Sequence, residues 1–444
     1  MYSLLILSLA GYVLIGYFIE RSNFELLITA YSSLFLFSYL ILKNKRHYNF
    51  KVLLLSGILF RFCLIFSTPA LSDDFYRFFW DGRIQQLGFN PFDFTPRQLL
   101  NQNSDAFLSQ LFPCLNSPDY FSVYPRLSQI LFNVVSIIGK DSLQTNLIVM
   151  KSIIFLTEIG TLYLLNTLVN KRKQDPSILL IYLLNPLVII ELTGNIHLEA
   201  FMIFFFLLAV MLFYRQRLIG SATALTLSVQ TKLLPILAIP FLIKKIGIKK
   251  TVGYGLVCLL ITLIISIGSI NTSERVSHIA ESLNLYYGKF EFNGGIYLFF
   301  RSIGWMVMGY NPIAILSKLM ILFTLSGILF VYLKESDMLS GFFWTLLIYL
   351  GFAAIIHPWY LTPLVALSIF VRYRFILVWS ALIPLSYISY KTLPYSENYW
   401  ITGLEYLVVM GYLLWELKIL SVNSIPANLE HEKLTKESNK TIEY

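Results

Sequence analysis

The sequence predicts an all-helical integral membrane protein with about twelve membrane-crossing helices. Hydrophobic residues make up 57% of the 444 residues and charged residues only 13%, about half of the 25% that is typical of soluble domains. Apolar runs long enough to cross a hydrocarbon layer of about 30 Å recur along the whole chain. Basic residues gather in the short connections between those runs, so the formal net charge of +9 indicates membrane orientation rather than nucleic-acid binding.

Three apolar runs at the N-terminus, near 3–20, 24–42 and 51–70, predict the first membrane helices. The first run lacks the basic start and the small-residue cleavage site of a signal peptide, so we expect it to be retained. The N-terminus then lies in the cytoplasm and residues 71–147 form a first outer loop. This orientation follows from the turn between the second and third helices, which is basic and therefore cytoplasmic. That turn contains Lys43, Lys45, Arg46 and Lys51.

The first outer loop contains no apolar run that is long enough to cross the membrane. Its apolar piece, 124–139, is short and opens with Tyr-Pro, which predicts a helix lying in the membrane interface. The next span, 148–169, is followed by the basic residues 171–173 and must therefore run inward. This direction agrees with the outer position of the loop.

The middle of the chain predicts a broken hairpin. Two spans, near 177–192 and 199–214, are joined by a short outer turn. Residues 218–243 then lie between two basic clusters, and a single crossing would place one of those clusters outside. We therefore predict two short helices with a break near Thr231 and Pro235, since broken helices are tolerated where they line a cavity.

The last part of the chain predicts further spans around a second outer loop. A span near 251–270 precedes this loop, 271–311, which has a short apolar piece of its own. Residues 1–420 would form one transmembrane domain, and 421–444 a flexible cytoplasmic tail. The remaining spans are predicted near 312–333, 339–356, 359–373, 374–391 and 400–419.

Ionisable residues at the outer ends of the predicted helices are the candidates for function. A charge within a bilayer is costly, so such residues seldom lie there without a role. If the helices form one bundle, these side chains face a single cavity that opens to the outer side. The candidates are Asp73, Asp74, Arg77, Arg83, Glu191, His197, Glu199, Lys232 and His357.

The start of the first outer loop is the most informative segment. Asp73 and Asp74 follow a membrane helix, where a carboxylate can act as general base on a hydroxyl group. Arg77 and Arg83 can hold a phosphate through paired hydrogen bonds. The competing interpretation is structural: an aspartate caps the following helix, and the arginines pair with nearby aspartates, Asp81 among them.

The other candidates also have two interpretations each. Lys232 lies within an apolar hairpin, unlike a lysine that reaches out from a helix end, so it binds a phosphate or neutralises a buried carboxylate. His197 shares a short turn with Glu191 and Glu199, and these residues either belong to the site or are solvated and paired locally. His357 is either a site residue or the anchor of an interfacial turn.

Two further groups have structural interpretations. Lys151 and Glu158 lie two helical turns apart on one face of a predicted span, which indicates polar contacts inside the bundle. Trp359 and Tyr360 are typical of the aromatic belt at a membrane interface. The three cysteines form no pattern of a disulfide or metal framework.

Short segments between residue 70 and about 365 resemble the ordered motifs of a known family. The family is that of the polytopic C-type-fold glycosyltransferases, in particular the bacterial mannosyltransferase-like group that uses polyprenyl-phosphate sugars. The chain departs from it at Arg126, where members often have proline, and at Glu199, where members often have aspartate. The segments are 71–92, Tyr124-Pro125 with Gln129, Leu184-Asn185-Pro186-Leu187 with Glu191 to Glu199, Lys232 with Pro235, Phe292-Asn293-Gly294-Gly295 and His357-Pro358-Trp359-Tyr360.

The resemblance implies transfer of a hexose, with mannose expected, from a polyprenyl-phosphate donor to a glycan or glycolipid acceptor. The reaction would occur on the periplasmic side of a bacterial inner membrane. The acidic residue that starts the first outer loop in that family falls on Asp74 or Asp73. No cofactor is required, since no cytoplasmic loop is large enough for a nucleotide-binding domain. A divalent metal is compatible with the site, but no metal ligands are assigned, and no nucleic acid is expected as a partner.

Two other classes of protein compete with the enzyme. A transporter or flippase for a lipid-linked sugar would need polar residues that are accessible from both faces and usually shows repeat symmetry. A structural or assembly subunit would explain the apolar bundle but not the clustered outer acids. The sequence therefore favours the enzyme.

Overall fold

The computed structural model describes the backbone of residues 2–270, 272–392 and 395–422. Side chains are described at these residues except at 285–289 and 420–422. Within this part of the chain the fold is all-helical and contains no β-strand, which confirms the predicted helical class. The predicted tail 421–444 lies outside the described residues from residue 423 onward.

The first part of the chain contains short helices between long ones. The elements are α1 (Ser3–Tyr17), α2 (Phe24–Lys43), α3 (Phe50–Phe62), α4 (Asp74–Gln86), α5 (Pro96–Leu100), α6 (Ala106–Leu111), α7 (Arg126–Gly139) and α8 (Leu143–Lys171). Short 3₁₀ turns lie at Lys45–His47 and Phe112–Cys114.

The second part of the chain is also helical, with frequent breaks. The elements are α9 (Leu180–Leu183), α10 (Pro186–Val188), α11 (Glu199–Tyr214), α12 (Leu218–Val229), α13 (Ile239–Ser266), α14 (Ser273–Lys289), α15 (Gly295–Met308), α16 (Ile313–Lys334), α17 (Met338–Phe352), α18 (Thr362–Leu367), α19 (Phe375–Leu382) and α20 (Tyr399–Val422). Short 3₁₀ helices lie at Pro176–Leu179, Leu234–Ala238, Pro358–Leu361, Ser368–Phe370 and Ile383–Tyr390. A π-helix lies at Ile189–Gly194.

Four helices in the described part of the chain are long and apolar enough to cross a membrane: α2, α8, Leu234–Ser266 and α16. A fifth crossing results if the bent pair Pro176–Leu183 and Pro186–Gly194 is counted as one span. Shorter apolar helices of 10–17 residues make up much of the remaining bundle. The chain is thus a helical membrane protein, and the predicted count of about twelve crossings is not confirmed.

Proline and glycine explain where the predicted spans are broken. The span expected to be continuous over 177–192 bends by 53° at Pro186, because proline lacks the amide hydrogen that would continue the helix. Asn185 caps the new start by accepting a hydrogen bond from the Val188 amide at 3.3 Å. The predicted hairpin break is confirmed, since α12 ends at Val229 and the chain becomes helical again only at Leu234.

The second long loop is more helical than its apolar pattern predicted. The short apolar piece expected in 271–311 is present as α15, and a second helix, α14, precedes it in the same loop. Helix α14 is joined to the loop before α5 by an ion pair of Arg275 with Asp93 at 2.5 Å. The side chain of His278, also in α14, is 2.8 Å from the carbonyl oxygen of Phe92. The two loops therefore form one connected layer at the end of the bundle where α4 begins.

A buried ionic network stabilises the helices beneath that layer. Glu158 in α8 accepts a hydrogen bond of 2.9 Å from Arg61 in α3, and both side chains are fully buried. Lys151 lies on the same helical face as Glu158. It donates hydrogen bonds to the carbonyl oxygens of Leu64 and Ser67 at 3.0 and 2.6 Å. The predicted polar contacts inside the bundle are confirmed, with Arg61 as a partner that the sequence did not indicate.

Candidate active site

The first turn of α4 places the two predicted aspartates in different environments. Asp73 precedes the helix but makes no capping hydrogen bond to it, so the interpretation of this residue as a helix cap is wrong. Its carboxylate accepts a hydrogen bond of 2.7 Å from Arg21, in the turn between α1 and α2. The Asp74 carboxylate accepts a hydrogen bond of 3.0 Å from Asn116 Nδ2. Asp73 is therefore neutralised by a guanidinium, whereas Asp74 has a neutral amide as its partner.

The electrostatic environment of Asp74 identifies its neighbours. Burial raises the pKa of the Asp74 carboxyl above its usual range and is the largest influence. The neighbouring His197 and Lys232 and the hydrogen bond from Asn116 lower this pKa, and the charge of Asp73 raises it further. A side chain shifts the pKa of a carboxyl group in this way only when it lies near that group. Two residues more than 100 positions away in the sequence therefore lie close to Asp74.

His197 lies in the turn between Ile189–Gly194, which is a π-helix, and α11. Short π-helical insertions occur often at functional sites. Glu191 of this segment is fully buried and accepts hydrogen bonds of 2.8 Å from both Tyr31 and Tyr387. His197 Nε2 is 3.5 Å from Glu191 Oε2. The two tyrosines thus fix the carboxylate that lies behind the imidazole.

Lys232 lies in the break after α12 and forms an ion pair with Glu199, the first residue of α11. Its Nζ is also 4.2 Å from the centroid of the Tyr360 ring. Neutralisation of a buried carboxylate, one of the two interpretations of Lys232, is therefore observed. Because 30% of the Lys232 side chain remains exposed, a bound phosphate could still reach it, and that role stays a prediction.

His357 belongs to a stack of four aromatic rings. The ring centroids of Phe292 and His357 are 4.6 Å apart, and those of His357 and Trp359 are 4.4 Å apart. The other face of Trp359 stacks on His197 at 3.8 Å. Burial, with the neighbouring His197 and Lys232 acting in the same direction, lowers the pKa of His357 to about 3. The His357 imidazole is therefore neutral near pH 7.

The two predicted phosphate-binding arginines of α4 have local partners. Arg77 donates to Asp81 at 2.7 Å and to two backbone carbonyls of the following loop, so the predicted pairing with Asp81 is confirmed. Arg83 forms ion pairs with Asp105 at 2.6 Å and with Asp141 at 2.8 Å. These contacts favour the structural interpretation of both arginines, and phosphate binding by them stays a prediction.

Three residues of the site were not among the predicted ones. Arg21 and Asn116 hold Asp73 and Asp74, and the only signal in the sequence was their location in short polar stretches beside apolar runs. Trp359 was assigned to an interfacial belt, but it is 7% exposed and lies between two imidazole rings. The belt interpretation of Trp359 is therefore wrong.

The resulting cluster brings together side chains from four separate parts of the sequence: Asp74, His197, Lys232 and His357. Glu191 lies beside His197, and Glu199 pairs with Lys232. The cluster offers a carboxylate that can take up a proton, a cation and two imidazoles. Among the residues that the structure describes, no group of three or more histidine, cysteine, aspartate or glutamate side chains is placed to hold a metal ion.

Apolar helices and an ionisable cluster at the ends of several of them define a helical membrane protein with a candidate active site. A comparison with protein families matches residues 13–246 to the alpha-(1->6)-mannopyranosyltransferase N-terminal domain. This match covers more than half of the chain, and the chain belongs to that family. The protein is therefore a glycosyltransferase, as the sequence motifs indicated. Comparisons with curated proteins and with solved structures found no match.

Proposed function

We propose that the protein transfers mannose from a polyprenyl-phosphate-linked donor to a glycan or glycolipid acceptor on the outer side of a bacterial inner membrane. The family supports mannosyl transfer. The donor class and the side of the membrane rest on the sequence motifs and on the location of basic residues. No nucleotide and no metal ion is required in this proposal, although a divalent metal is compatible with it.

Asp74 is the general base of the proposed reaction. Its carboxylate takes the proton of the acceptor hydroxyl while the hydroxyl oxygen attacks the anomeric carbon. The bond from that carbon to the phosphate oxygen breaks, and polyprenyl phosphate leaves. A single displacement of this kind inverts the anomeric centre.

The observation that carries the proposal is the convergence of Asp74 with His197, Lys232 and His357. Negative charge develops on the departing phosphate, and Lys232 together with the two imidazoles can stabilise it in surroundings partly screened from water. Asp73 is less suited to be the base, because Arg21 holds its charge in an ion pair of 2.7 Å. Asp74 has no cation among its hydrogen-bond partners in the described residues.

The proposed arrangement in the membrane uses residues 1–420 as one transmembrane unit. Shorter apolar helices such as α11, α12 and α17 pack beside the long spans and would bring the number of crossings to about twelve. The N-terminus and the tail after α20 would then be cytoplasmic, and the layer that contains α4, α7 and α14 would lie outside.

The test is transfer of radiolabelled mannose from polyprenyl-phosphate mannose in membranes that contain the wild type, Asp74→Asn or Asp73→Asn. Loss of a general base lowers such rates by about 10²- to 10⁴-fold, so we expect that loss for Asp74→Asn and retained transfer for Asp73→Asn. Asp119→Asn, in the same loop and paired with Arg97 at the surface, is the matched control for protein abundance and folding. Unchanged transfer by Asp74→Asn would refute the assigned base. No transfer by the wild type would refute the donor.

A further inference from the structure

Trp359 is sandwiched between the two imidazoles of the site. Its ring lies nearly parallel to both neighbours, at 14° to His197 and at 5° to His357. The same indole is 7% exposed. Both faces of the ring are therefore covered, so that Trp359 cannot stack on a sugar, which is the usual role of a tryptophan in a carbohydrate site.

The histidines are held by stacking more than by hydrogen bonds. His357 Nδ1 and His197 Nε2 are buried, and neither has a hydrogen-bond partner among the described residues. The Glu191 carboxylate lies 3.5 Å from His197 Nε2, which is longer than a normal hydrogen bond. Stacked aromatic pairs stabilise one relative orientation of two rings, and the indole makes this contact with both imidazoles at once.

The elements that contribute the three rings are far apart in the sequence. His197 comes from the turn before α11, and His357 and Trp359 come from the turn after α17, more than 150 residues later. Phe292 closes the far side of the stack on His357 at 4.6 Å. The segment with Phe292 is in turn joined to the turn after α17 by backbone hydrogen bonds to Ala354 and from Ile356, at 3.0 and 2.7 Å. The indole contacts both imidazoles and so adds a direct link between the two histidine-bearing turns.

We propose that Trp359 is a positioning residue for the transfer reaction: it holds His197 and His357 as a parallel pair beside Lys232, where the donor phosphate binds. This inference rests on the proposed function for the identity of the phosphate. Lys232 lies at the edge of the same arrangement through its contact with Tyr360. A phosphate bound there would meet one cation and two imidazoles whose orientation is set before it arrives.

The kinetic test compares Trp359→Phe, which keeps an aromatic face between the histidines, with Trp359→Leu, which removes it. Two stacked contacts are lost in the leucine variant, so we expect its KM for polyprenyl-phosphate mannose to rise about tenfold. The KM for the acceptor should stay unchanged, and the phenylalanine variant should remain within about threefold of the wild type. Trp344→Leu, a half-buried tryptophan of α17 that packs on Tyr373, is the matched control.

A double-mutant comparison shows whether Trp359 acts through the histidines. If it does, Trp359→Leu should add little to the defect of a His197→Gln/His357→Gln variant, because groups that act as a unit are non-additive. An equal donor KM for Trp359→Leu and the wild type would overturn the proposal. Full additivity with the histidine variant would overturn it as well.

A fluorescence measurement tests the stack independently of catalysis. The fluorescence emission of Trp359 is obtained by subtracting the emission of Trp359→Phe from that of the wild type. Because the stacked rings determine the surroundings of the indole, this emission should change in His197→Gln and in His357→Gln. We also expect polyprenyl phosphate, but not polyprenyl alcohol, to change this emission. If the wild type transfers no mannose while polyprenyl phosphate still changes the emission, the donor sugar is wrong and the positioning role stands. If neither histidine variant changes the emission, the positioning role is wrong whatever the enzyme transfers.

Discussion

Asp73 and Asp74 are neighbours in the sequence but have different electrostatic roles in the structure. Asp73 is paired with Arg21, whose guanidinium also lies 4.2 Å from the centroid of the Tyr390 ring. Asp74 lies inside the cluster, where burial raises its pKa. A general base is most effective when its pKa is close to the working pH. The raised pKa of Asp74 therefore suits the role that we propose for it.

The first prediction at the scale of the residue concerns the pH dependence of transfer. A base must be deprotonated, so kcat/KM should fall as the pH drops through the raised pKa of Asp74. The negative charge of Asp73 raises that pKa and the hydrogen bond from Asn116 lowers it. We therefore expect Asp73→Asn to move the acidic limb of the pH–rate profile to lower pH and Asn116→Ala to move it to higher pH.

The two shifts of opposite sign make this prediction specific, and full pH profiles of kcat/KM would measure them. Asp119→Asn, an exposed carboxylate in the same loop, should leave the limb in place. A limb that does not move in either site variant would show that Asp74 is not the group that titrates.

The sequence allowed the members of the site to be predicted better than their partners. Asp74, His197, Lys232 and His357 stood out because ionisable residues near apolar runs are rare. The partners of Arg83 could not be predicted in the same way, because Asp105 and Asp141 come from loops whose paths depend on tertiary packing. Trp359 was misjudged for a related reason: tryptophan at a helix end is common at membrane interfaces, and only the packed bundle reveals what covers its faces.

At the scale of the element, the positions of helix breaks were predictable and their geometry was not. Pro186 and the segment around Lys232 end helices for reasons that are local to the backbone. The bend of 53° at Pro186 and the π-helix that follows it depend on contacts with α2 and with the turn before α18. The helix lengths also differ from expectation, since α8 begins at Leu143, where Ser142 accepts a hydrogen bond from the Thr145 amide at 3.2 Å.

The prediction at this scale concerns the ion pair between α3 and α8. Arg61 and Glu158 are both fully buried, and removal of one partner leaves the other charge buried without its counter-charge. Such a change costs about 3–5 kcal/mol, so Glu158→Ala should strongly lower the thermal unfolding temperature of the purified protein in detergent. The double variant Arg61→Met/Glu158→Leu should be more stable than Glu158→Ala, because it buries no unpaired charge.

An exposed ion pair provides the control for this measurement. Glu25 in α2 and Lys391, just after Ile383–Tyr390, also form an ion pair. In this pair 67% of the Glu25 side chain and 49% of the Lys391 side chain are exposed. Exposed pairs contribute about 0.2–1 kcal/mol, so Glu25→Ala should change the unfolding temperature little. Equal effects of Glu25→Ala and Glu158→Ala would mean that the Arg61–Glu158 pair does not hold α3 to α8.

At the scale of the whole molecule, the arrangement of charge indicates how the protein lies in its membrane. The cluster with Asp74 lies at one end of the bundle. The other end of the bundle contains the basic connection Lys45–His47 and the basic end of α8. These two segments meet there, because Lys45 pairs with Asp175, four residues after α8, at 3.3 Å. Composition was enough to predict a helical membrane protein, and its orientation stays a prediction from the basic connections. The number of crossings could not be fixed, because short apolar helices cross a bilayer or lie beside longer ones depending on how they pack.

The last prediction tests this orientation and separates the enzyme from a carrier. Cys114 is exposed and lies two residues before Asn116, the hydrogen-bond partner of Asp74. With Cys63 and Cys258 replaced by serine, it should react with a membrane-impermeant maleimide in intact cells or right-side-out vesicles. A variant whose only cysteine replaces Arg215, at the end of α11 away from the cluster, should react only after the membrane is made permeable, which gives the control for the opposite face.

Access to Lys232 then distinguishes the two classes of protein. In a variant whose only cysteine replaces Lys232, an enzyme with an outward-facing site should be labelled from the outer side alone. A carrier must expose its binding site to each face in turn, so labelling from both sides would refute the one-sided site on which the proposed reaction depends. Labelling of Cys114 only after permeabilisation would reverse the orientation, and the acceptor would then have to be sought in the cytoplasm.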